Sequence, residues 1–566
     1  MYSKNIWLAG SAIFIITFTL FSFSLNGQFI DLGGYGGMDY SAWSKNPFIC
    51  HLSSVILHSV NAFLFFVFSF MFFDRTELNH DGKNPAGVIV PAAFSALFFA
   101  AHPLRAEAVA WISFHSVVLS VFFCLLCFLS YFTYAENRQI SSKKRKFYVF
   151  SVILCFLAVL TNIIAAAIPF LLLLLDYFPL RRLNFSGNQA IKRFLSENNQ
   201  QLKEKIPFLA IAAIALIIYL STSHIPFHGL SIAKIIYLYG FYLIKTAFPF
   251  GLVPVYQMPQ NVLLPDIIFI AAICSFGAVS WHFRHKNPLF LYAFLYYIIA
   301  LMPASVLTAG DRYSYLPMLS FALLFGYAGG KMALSLKKGR KFAYAAFSSI
   351  PLLFAGISFF QQKAWADSET LWLHELEYYK NCDIAWSGLA NKQYGNENYG
   401  LALMYITKAI ELNPSHFPYK CDAAKIHLAM GNHETAFSLF SSAIPINPGN
   451  YPNADNACSL KFKHEEIFQK EKMFVESIEM RRNIALSLYS TVSLLLKEKR
   501  YEEAAKVTEN LVALMPGNPD AMALHAYALA GIGDISAAQE LCRSALSINP
   551  GHREASAFLK QYPDKK

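Results

Sequence analysis

The sequence predicts an all-α protein in two bodies: a polytopic bundle of about 11 membrane-spanning helices over residues 1–361, then a soluble array of helix–turn–helix repeats over residues 362–566. Three observations predict it. Apolar runs of span length recur through the first body, Lys and Arg collect in alternate connections between those runs, and prolines recur at a fixed spacing in the second body.

A hydrocarbon core ~30 Å thick takes ~20 mostly apolar residues in a helix. The runs at 6–25, 49–73 and 206–222 approach or exceed that without an acidic residue, Lys or Arg. The remaining spans are placed near 88–101, 111–135, 147–161, 163–180, 264–283, 288–306, 316–334 and 342–361. Lys4 precedes the first run, which has no small-x-small cleavage site and is read as a retained signal anchor. The segment 231–248, interrupted by Lys234 and Lys245 and followed by Pro249, Gly251 and Pro254, fits the count as an interfacial or re-entrant helix.

The formal charge of +11 does not point to nucleic acid, because the basic residues lie between apolar runs instead of forming a stripe with aromatics. They mark topology. Arg138 to Lys146, Arg181 to Lys205, Arg284 with Lys286, and Lys337 to Lys341 are cytoplasmic connections by the positive-inside rule. An odd number of spans then carries the second body to the other side, together with three polar insertions at 31–47, 102–107 and 311–317. The nine cysteines show no metal spacing. Cys124 and Cys127 lie in an apolar run, and Cys382, Cys421, Cys458 and Cys542 are read as packing thiols that define no redox compartment.

In the second body Pro414, Pro448, Pro516 and Pro550 are spaced by 34, 68 and 34 residues, the period of a tetratricopeptide repeat. Small or apolar side chains fill the helix-crossing slots: Trp386, Leu389, Ala390, Ala402 and Ala409; Ala424, Ala436, Phe440 and Ala443; Ala504 and Leu511; Ala526, Ala538 and Ala545. The double gap is read as holding one degenerate unit, with Arg482 where Pro is expected. Arrays of this kind bind extended peptides or proteins and rarely perform chemistry themselves.

The run His102-Pro-Leu-Arg-Ala-Glu-Ala-Val-Ala-Trp111 resembles the His-Pro-x-x-x-Glu-x-Val-x-Trp element of tetratricopeptide-repeat membrane proteins related to the transmembrane O-mannosyltransferases. Pro169-Phe-Leu-Leu-Leu-Leu-Leu-Asp-Tyr-Phe-Pro179, the entry from Asn46-Pro47 to His58, and Asp311-Arg-Tyr-Ser-Tyr-Leu-Pro317 extend the resemblance in order along the chain. It implies a C-type glycosyltransferase fold that moves a sugar, mannose among the candidates, from a polyprenyl-phosphate donor to a protein, peptide or glycan acceptor on the non-cytoplasmic side. It also implies a bacterial inner membrane with the repeats periplasmic or extracellular.

Such a transfer needs a carboxylate to take the acceptor proton and cationic groups to hold the departing phosphate. The resemblance assigns Glu107 to the first task, with Asp39 and Asp31 the nearby acids that would substitute for the family's own pair, and Arg312, Arg105 and His102 to the second. It assigns no metal site and leaves a divalent metal open. Relatives carry an acidic pair in the first outer loop, where this chain has Gly33 and Gly34; the family's charged tetrad after the motif Trp is Phe114-His-Ser-Val117 here, and Asn162 replaces a Lys. The alternative reading is therefore a non-catalytic envelope protein of the same fold that recruits partners through its repeats.

Overall fold

The computed structural model describes residues 4–30, 46–79, 86–136, 142–184, 191–222, 232–257, 264–306, 310–336, 339–443 and 469–563. Regular structure among them is helical throughout, and the chain divides into two compact units whose main boundary falls between His374 and Glu375.

The first unit contains α1 (Lys4–Phe21), α2 (Pro47–Asp74), α3 (Ala86–Ala101), the short α4 (Arg105–Ala110), α5 (His115–Ala135), α6 (Ser142–Thr161), α7 (Ile168–Tyr177), α8 (Ile191–Glu197) and α9 (Asn199–Lys203). It continues through α10 (Ile206–Thr222), α11 (Ile232–Ala247), α12 (Leu264–Phe283), α13 (Pro288–Leu301), α14 (Met318–Ser335) and α15 (Arg340–Ala364) into α16 (Ser368–Tyr378). Each apolar run read as a span overlaps one of these helices, although 163–180 is a 3-10 turn over Ile163–Ala167 followed by the short α7. Among the described residues, 6 helices are long and apolar enough to cross a membrane by length and composition, and further apolar helices such as Gly87–Ala101 and Pro288–Ala304 are shorter. Their outward side chains suit lipid: Ile214, Ile217 and Ile218 on α10, and Leu352, Leu353 and Phe360 on α15, are exposed. The segment expected to lie at the interface is α11, whose Tyr237 and Phe241 pack edge-on against Phe269 of α12.

Local chemistry sets the helix boundaries. Pro47 occupies the first turn of α2, where its missing N–H costs nothing, and the Asn46 side chain accepts from Phe48 N at 3.0 Å. Asn162 caps the turn leading into α7 in the same way, accepting from Ile164 N at 3.2 Å. Helix α14 approaches α3 closely because Gly326 faces Ser95 and the Pro91 carbonyl, and a Cβ there would overlap both. Between α5, α7 and the start of α10, Arg182 bonds Asp176 at 2.8 Å and Glu204 at 2.9 Å, Lys205 closes onto Asp176, and Tyr131 bonds Asp176 at 2.8 Å. Two acids and two bases, all largely buried, tie the ends of α5, α7 and α10 together with no net charge.

The second unit pairs α17 (Asp383–Gly395) with α18 (Tyr399–Leu412), and α19 (Phe417–Ala429) with α20 (His433–Ala443). It then pairs α21 (Gln469–Lys497) with α22 (Tyr501–Leu514), and α23 (Pro519–Ile532) with α24 (Ile535–Ile548), and ends on α25 (Arg553–Gln561). Ala390, Ala402, Ala409, Ala424, Ala436, Phe440, Ala504, Leu511, Ala526, Ala538 and Ala545 are all buried, as the repeat register requires.

The backbone repeats too. Left-handed residues between paired helices fall at Glu397 (φ 61°), Gly431 (81°), Lys499 (62°) and Gly533 (101°), the same 34-, 68- and 34-residue spacing as the prolines. One expectation is corrected: Arg482 ends no repeat, because α21 runs unbroken from Gln469 to Lys497, and Arg is a good helix former with nothing to interrupt the backbone ladder. Most of the degenerate unit lies outside the described residues. A second correction concerns Cys421, which is disulfide-bonded and not a packing thiol, whereas Cys382 and Cys542 are free and buried.

Candidate functional site

The site is built on α4, a six-residue helix with every residue buried. Pro103 follows His102 and forces a turn, closed by Arg105 N donating to His102 O at 2.9 Å and Ala106 N to Pro103 O at 3.0 Å. Both nitrogens of His102 are engaged: Nδ1 accepts from Leu104 N at 3.3 Å, so Nε2 carries the proton it donates to Thr246 O at 3.0 Å. Burial lowers the pKa of this imidazole to about 3. His102 is thereby a neutral pin between α3, α4 and α11.

Opposite α4 lies the turn 311–314. Both oxygens of Glu107 meet it. Oε1 accepts from Arg312 Nη1 in an ion pair, and Oε2 accepts from the Arg312 backbone N–H at 2.8 Å. Gly310 makes room for the arginine to fold back: a Cβ there would sit 2.5 Å from Arg312 Nη1. Tyr242 holds Gly310 from behind, its hydroxyl donating to Gly310 O at 2.8 Å and accepting from Gly310 N at 3.1 Å. The Arg312 guanidinium lies over Phe114 at 3.9 Å and Tyr313 at 4.7 Å. Burial pulls its pKa down, but Glu107 and Tyr313 more than offset this and leave it above the ordinary arginine value.

Arg105 is fully buried and reaches the same turn. Its Nη2 donates to Ser314 Oγ, which in turn donates to Asp311 O at 2.6 Å, and its guanidinium lies 4.6 Å from the Tyr315 ring centre. Tyr315 is anchored by His58 of α2. His58 Nε2 faces the Ala100 carbonyl at 3.2 Å and so carries the proton, which leaves Nδ1 to accept from Tyr315 OH at 2.5 Å. Asp311 receives the Tyr256 hydroxyl on Oδ1 at 2.6 Å. Burial first, and then the neighbouring Glu107 carboxylate, push the Asp311 carboxyl up to about 8.

The structure therefore brings Glu107, Arg105 and Arg312 together and gives His102 bonds of its own beside them. Asp31 and Asp39 lie outside the described residues. Asp311, Ser314, Tyr256, Tyr315 and His58 were not picked out as site residues from sequence. For Asp311 the signal was present, an acid beside Arg312 at the edge of an apolar run. Tyr256 and Ser314 carried no such mark.

Charge and hydrogen-bond supply point the same way. Two guanidiniums stand against one carboxylate and a carboxyl whose proton is retained toward neutral pH. Arg105 Nε and Nη1, Arg312 Nε and Trp111 Nε1 are buried donors without an acceptor among the described residues. Each such donor costs ~1–3 kcal/mol unless an acceptor reaches it, and an excess of donors with positive charge suits an anion. Among the described residues, no group of 3 or more His, Cys, Asp or Glu side chains converges to hold a metal ion.

Fold and site together define a membrane-type helical bundle with a buried two-arginine site and a C-terminal tetratricopeptide region. The Tetratricopeptide repeat family matches residues 495–562. Over 583 aligned positions the chain is 20% identical to the human Protein O-mannosyl-transferase TMTC3, an alignment covering 93% of this chain and 62% of that protein. The chain thus spans less than two thirds of that relative's length.

Proposed function

We propose that the chain is a membrane glycosyltransferase that moves a sugar, mannose in the first instance, from a polyprenyl-phosphate donor to a protein or glycan acceptor on the non-cytoplasmic side. The observation that carries the reading is the surplus of buried guanidinium N–H groups on Arg105 and Arg312 that have no acceptor among the described residues. The similarity to an O-mannosyl-transferase along 93% of the chain supports the sugar-transfer class.

In this reading Arg105 and Arg312 hold the donor phosphate and stabilise the charge that develops on it as the glycosidic bond to phosphate breaks. Glu107 acts by positioning Arg312, since both its oxygens are already occupied by that residue. His102 fixes the start of α4. Asp311, with its carboxyl titrating near neutral pH, takes the proton of the acceptor hydroxyl as the new bond to the sugar carbon forms. The C-type glycosyltransferase architecture, the 11 spans and a periplasmic repeat domain in a bacterial inner membrane belong to the same proposal. The distribution of Lys and Arg supports the sidedness, and the Cys421 disulfide supports it further, because such bonds persist in oxidising compartments. The repeats would then recruit a protein or peptide acceptor.

Transfer of labelled sugar from polyprenyl-phosphate mannose by purified membranes is the test. Arg105→Gln and Arg312→Gln should each lower donor binding and transfer together, and Asp311→Asn should lower transfer with donor binding intact. Asp39→Asn separates one further case: lost transfer with the fold and donor binding retained moves the proton acceptor into the first outer loop. Wild-type membranes that neither bind nor use any polyprenyl-phosphate donor would sink the reading and leave the repeat-bearing binding protein in its place.

A further inference from the structure

A second feature lies far from the two-arginine site, at the other end of α14. Lys331 is 13 residues beyond Met318, where α14 leaves the site turn, which puts it roughly 20 Å away along the helix. Here a cavity of about 630 Å³ opens between the residues following α2, the start of α13 and the end of α14. Its lining is mixed in chemistry: Phe290, Leu324 and Phe325 are apolar, while Lys286, Lys331 and Tyr327 are polar or basic. Glu77 braces two of the latter, accepting from Tyr327 OH and from Lys331 Nζ, each at 2.8 Å. Lys331 also faces the Tyr327 ring at 5.7 Å and keeps 40% of its side chain exposed.

Two cations against one carboxylate leave the lining net positive, with apolar side chains beside the charges. Near the end of α12, in the segment that leads to Lys286, Trp281 is 60% exposed with Arg284 stacked 4.0 Å over its ring, an aromatic–basic pairing that marks a membrane–water interface. The connections flanking this end, Arg284 with Lys286 and Lys337 to Lys341, are the basic ones assigned to the cytoplasmic side.

We infer that this groove binds one anionic phospholipid of the cytoplasmic leaflet, its headgroup phosphate between Lys286 and Lys331 and one acyl chain along Phe290, Leu324 and Phe325. Charge complementarity and the apolar side chains select that occupant: a zwitterionic headgroup brings its own cation to the lysines, and a free phosphate leaves the apolar side chains uncovered. The inference shares the sidedness of the proposed function but none of its site residues, so lipid binding and sugar transfer can fail independently.

The test is native mass spectrometry and thermal unfolding of the full-length protein, delipidated in detergent, with phosphatidylglycerol, phosphatidylcholine or inorganic phosphate added. Phosphatidylglycerol is expected to stay bound and raise the melting temperature, and the other two are not. Lys286→Gln and Lys331→Gln should each weaken phosphatidylglycerol binding about fivefold, the factor expected for one basic residue near an anionic surface. Glu77→Gln should tighten it, since it removes the competing charge, and this opposite sign separates headgroup recognition from damage to the fold. Equal binding of phosphatidylcholine, an equal shift with inorganic phosphate, or lysine variants that bind like wild type would overturn the inference.

Discussion

Replacing Glu107 by Gln tests the core of the site argument. The carboxylate is 1% exposed and Arg312 7%, and both carboxylate oxygens accept from Arg312, one from its side chain and one from its backbone. Gln keeps the shape and one acceptor but removes the charge, so the guanidinium stays buried without its counter-ion. Breaking a buried pair from one side costs ~3–5 kcal/mol, and the retained amide oxygen puts Glu107→Gln toward the lower end. With an unfolding entropy of ~2.1 cal/mol/K per residue, the unit that holds Glu107 shifts by ~1.3 °C per kcal/mol, and the melting temperature of the full-length protein in detergent should fall by roughly 4 °C. Removing both charges, in Glu107→Leu with Arg312→Leu, should recover much of that loss, since no uncompensated ion is then buried. Donor binding should weaken in the single variant along with stability, because Arg312 is no longer held in place. The reasoning is refuted if Glu107→Gln melts like wild type and binds donor normally yet transfers no sugar: Glu107 would then be the proton acceptor and its pairing with Arg312 incidental.

Other outcomes follow from the repeats, from Asp311 and from Cys421. Glu397→Gly and Lys499→Gly should each stabilise the protein by about 0.5–1 kcal/mol, the relief of a left-handed backbone less the extra freedom of glycine in the unfolded chain; a lower melting temperature in either variant would count against the repeat register. The Asp311 carboxyl is raised to about 8 in the fold from an ordinary value near ~4, so the native state binds the extra proton between those pH values. Stability should fall as pH rises through that window and Asp311→Asn should flatten the slope, while transfer, which needs the ionised form, should rise toward pH 8. Alkylation of the denatured, unreduced protein should modify Cys382 and Cys542 and leave Cys421 unmodified until a reductant is added; prompt modification of Cys421 would remove the redox support for a non-cytoplasmic repeat domain. Replacing Ala436, fully buried on α20, by Leu should cost ~1–3 kcal/mol through overpacking, read as a lower melting temperature.

Helix positions in both units were legible because their causes are local. A run such as 206–222 is helical and apolar whatever surrounds it, and Pro47 after Asn46 starts α2 without help from the rest of the chain. The repeat slots were legible for a related reason: a 34-residue period copies one local solution, and even its left-handed turns, invisible as residue types at Glu397 and Lys499, keep that period. Where the periodic signal lapsed, so did the reading, and Arg482 proved to lie inside one long helix.

What the sequence determined by itself was therefore the helical class, the apolar bundle, the repeat register and the presence of Glu107, Arg105 and Arg312 at polar points in apolar surroundings. Only the tertiary structure decided what those residues do to one another. Glu107 and Arg312 stand 205 positions apart and His58 and Tyr315 stand 257 apart, separations across which no periodicity or spacing carries information. Packing of α2, α3, α4 and the turn 311–314 makes them neighbours, and burial then fixes their chemistry. The same low-dielectric surroundings bind Glu107 to Arg312, hold His102 neutral and raise Asp311 toward neutral pH, because each is the cheapest way to keep a polar group out of water.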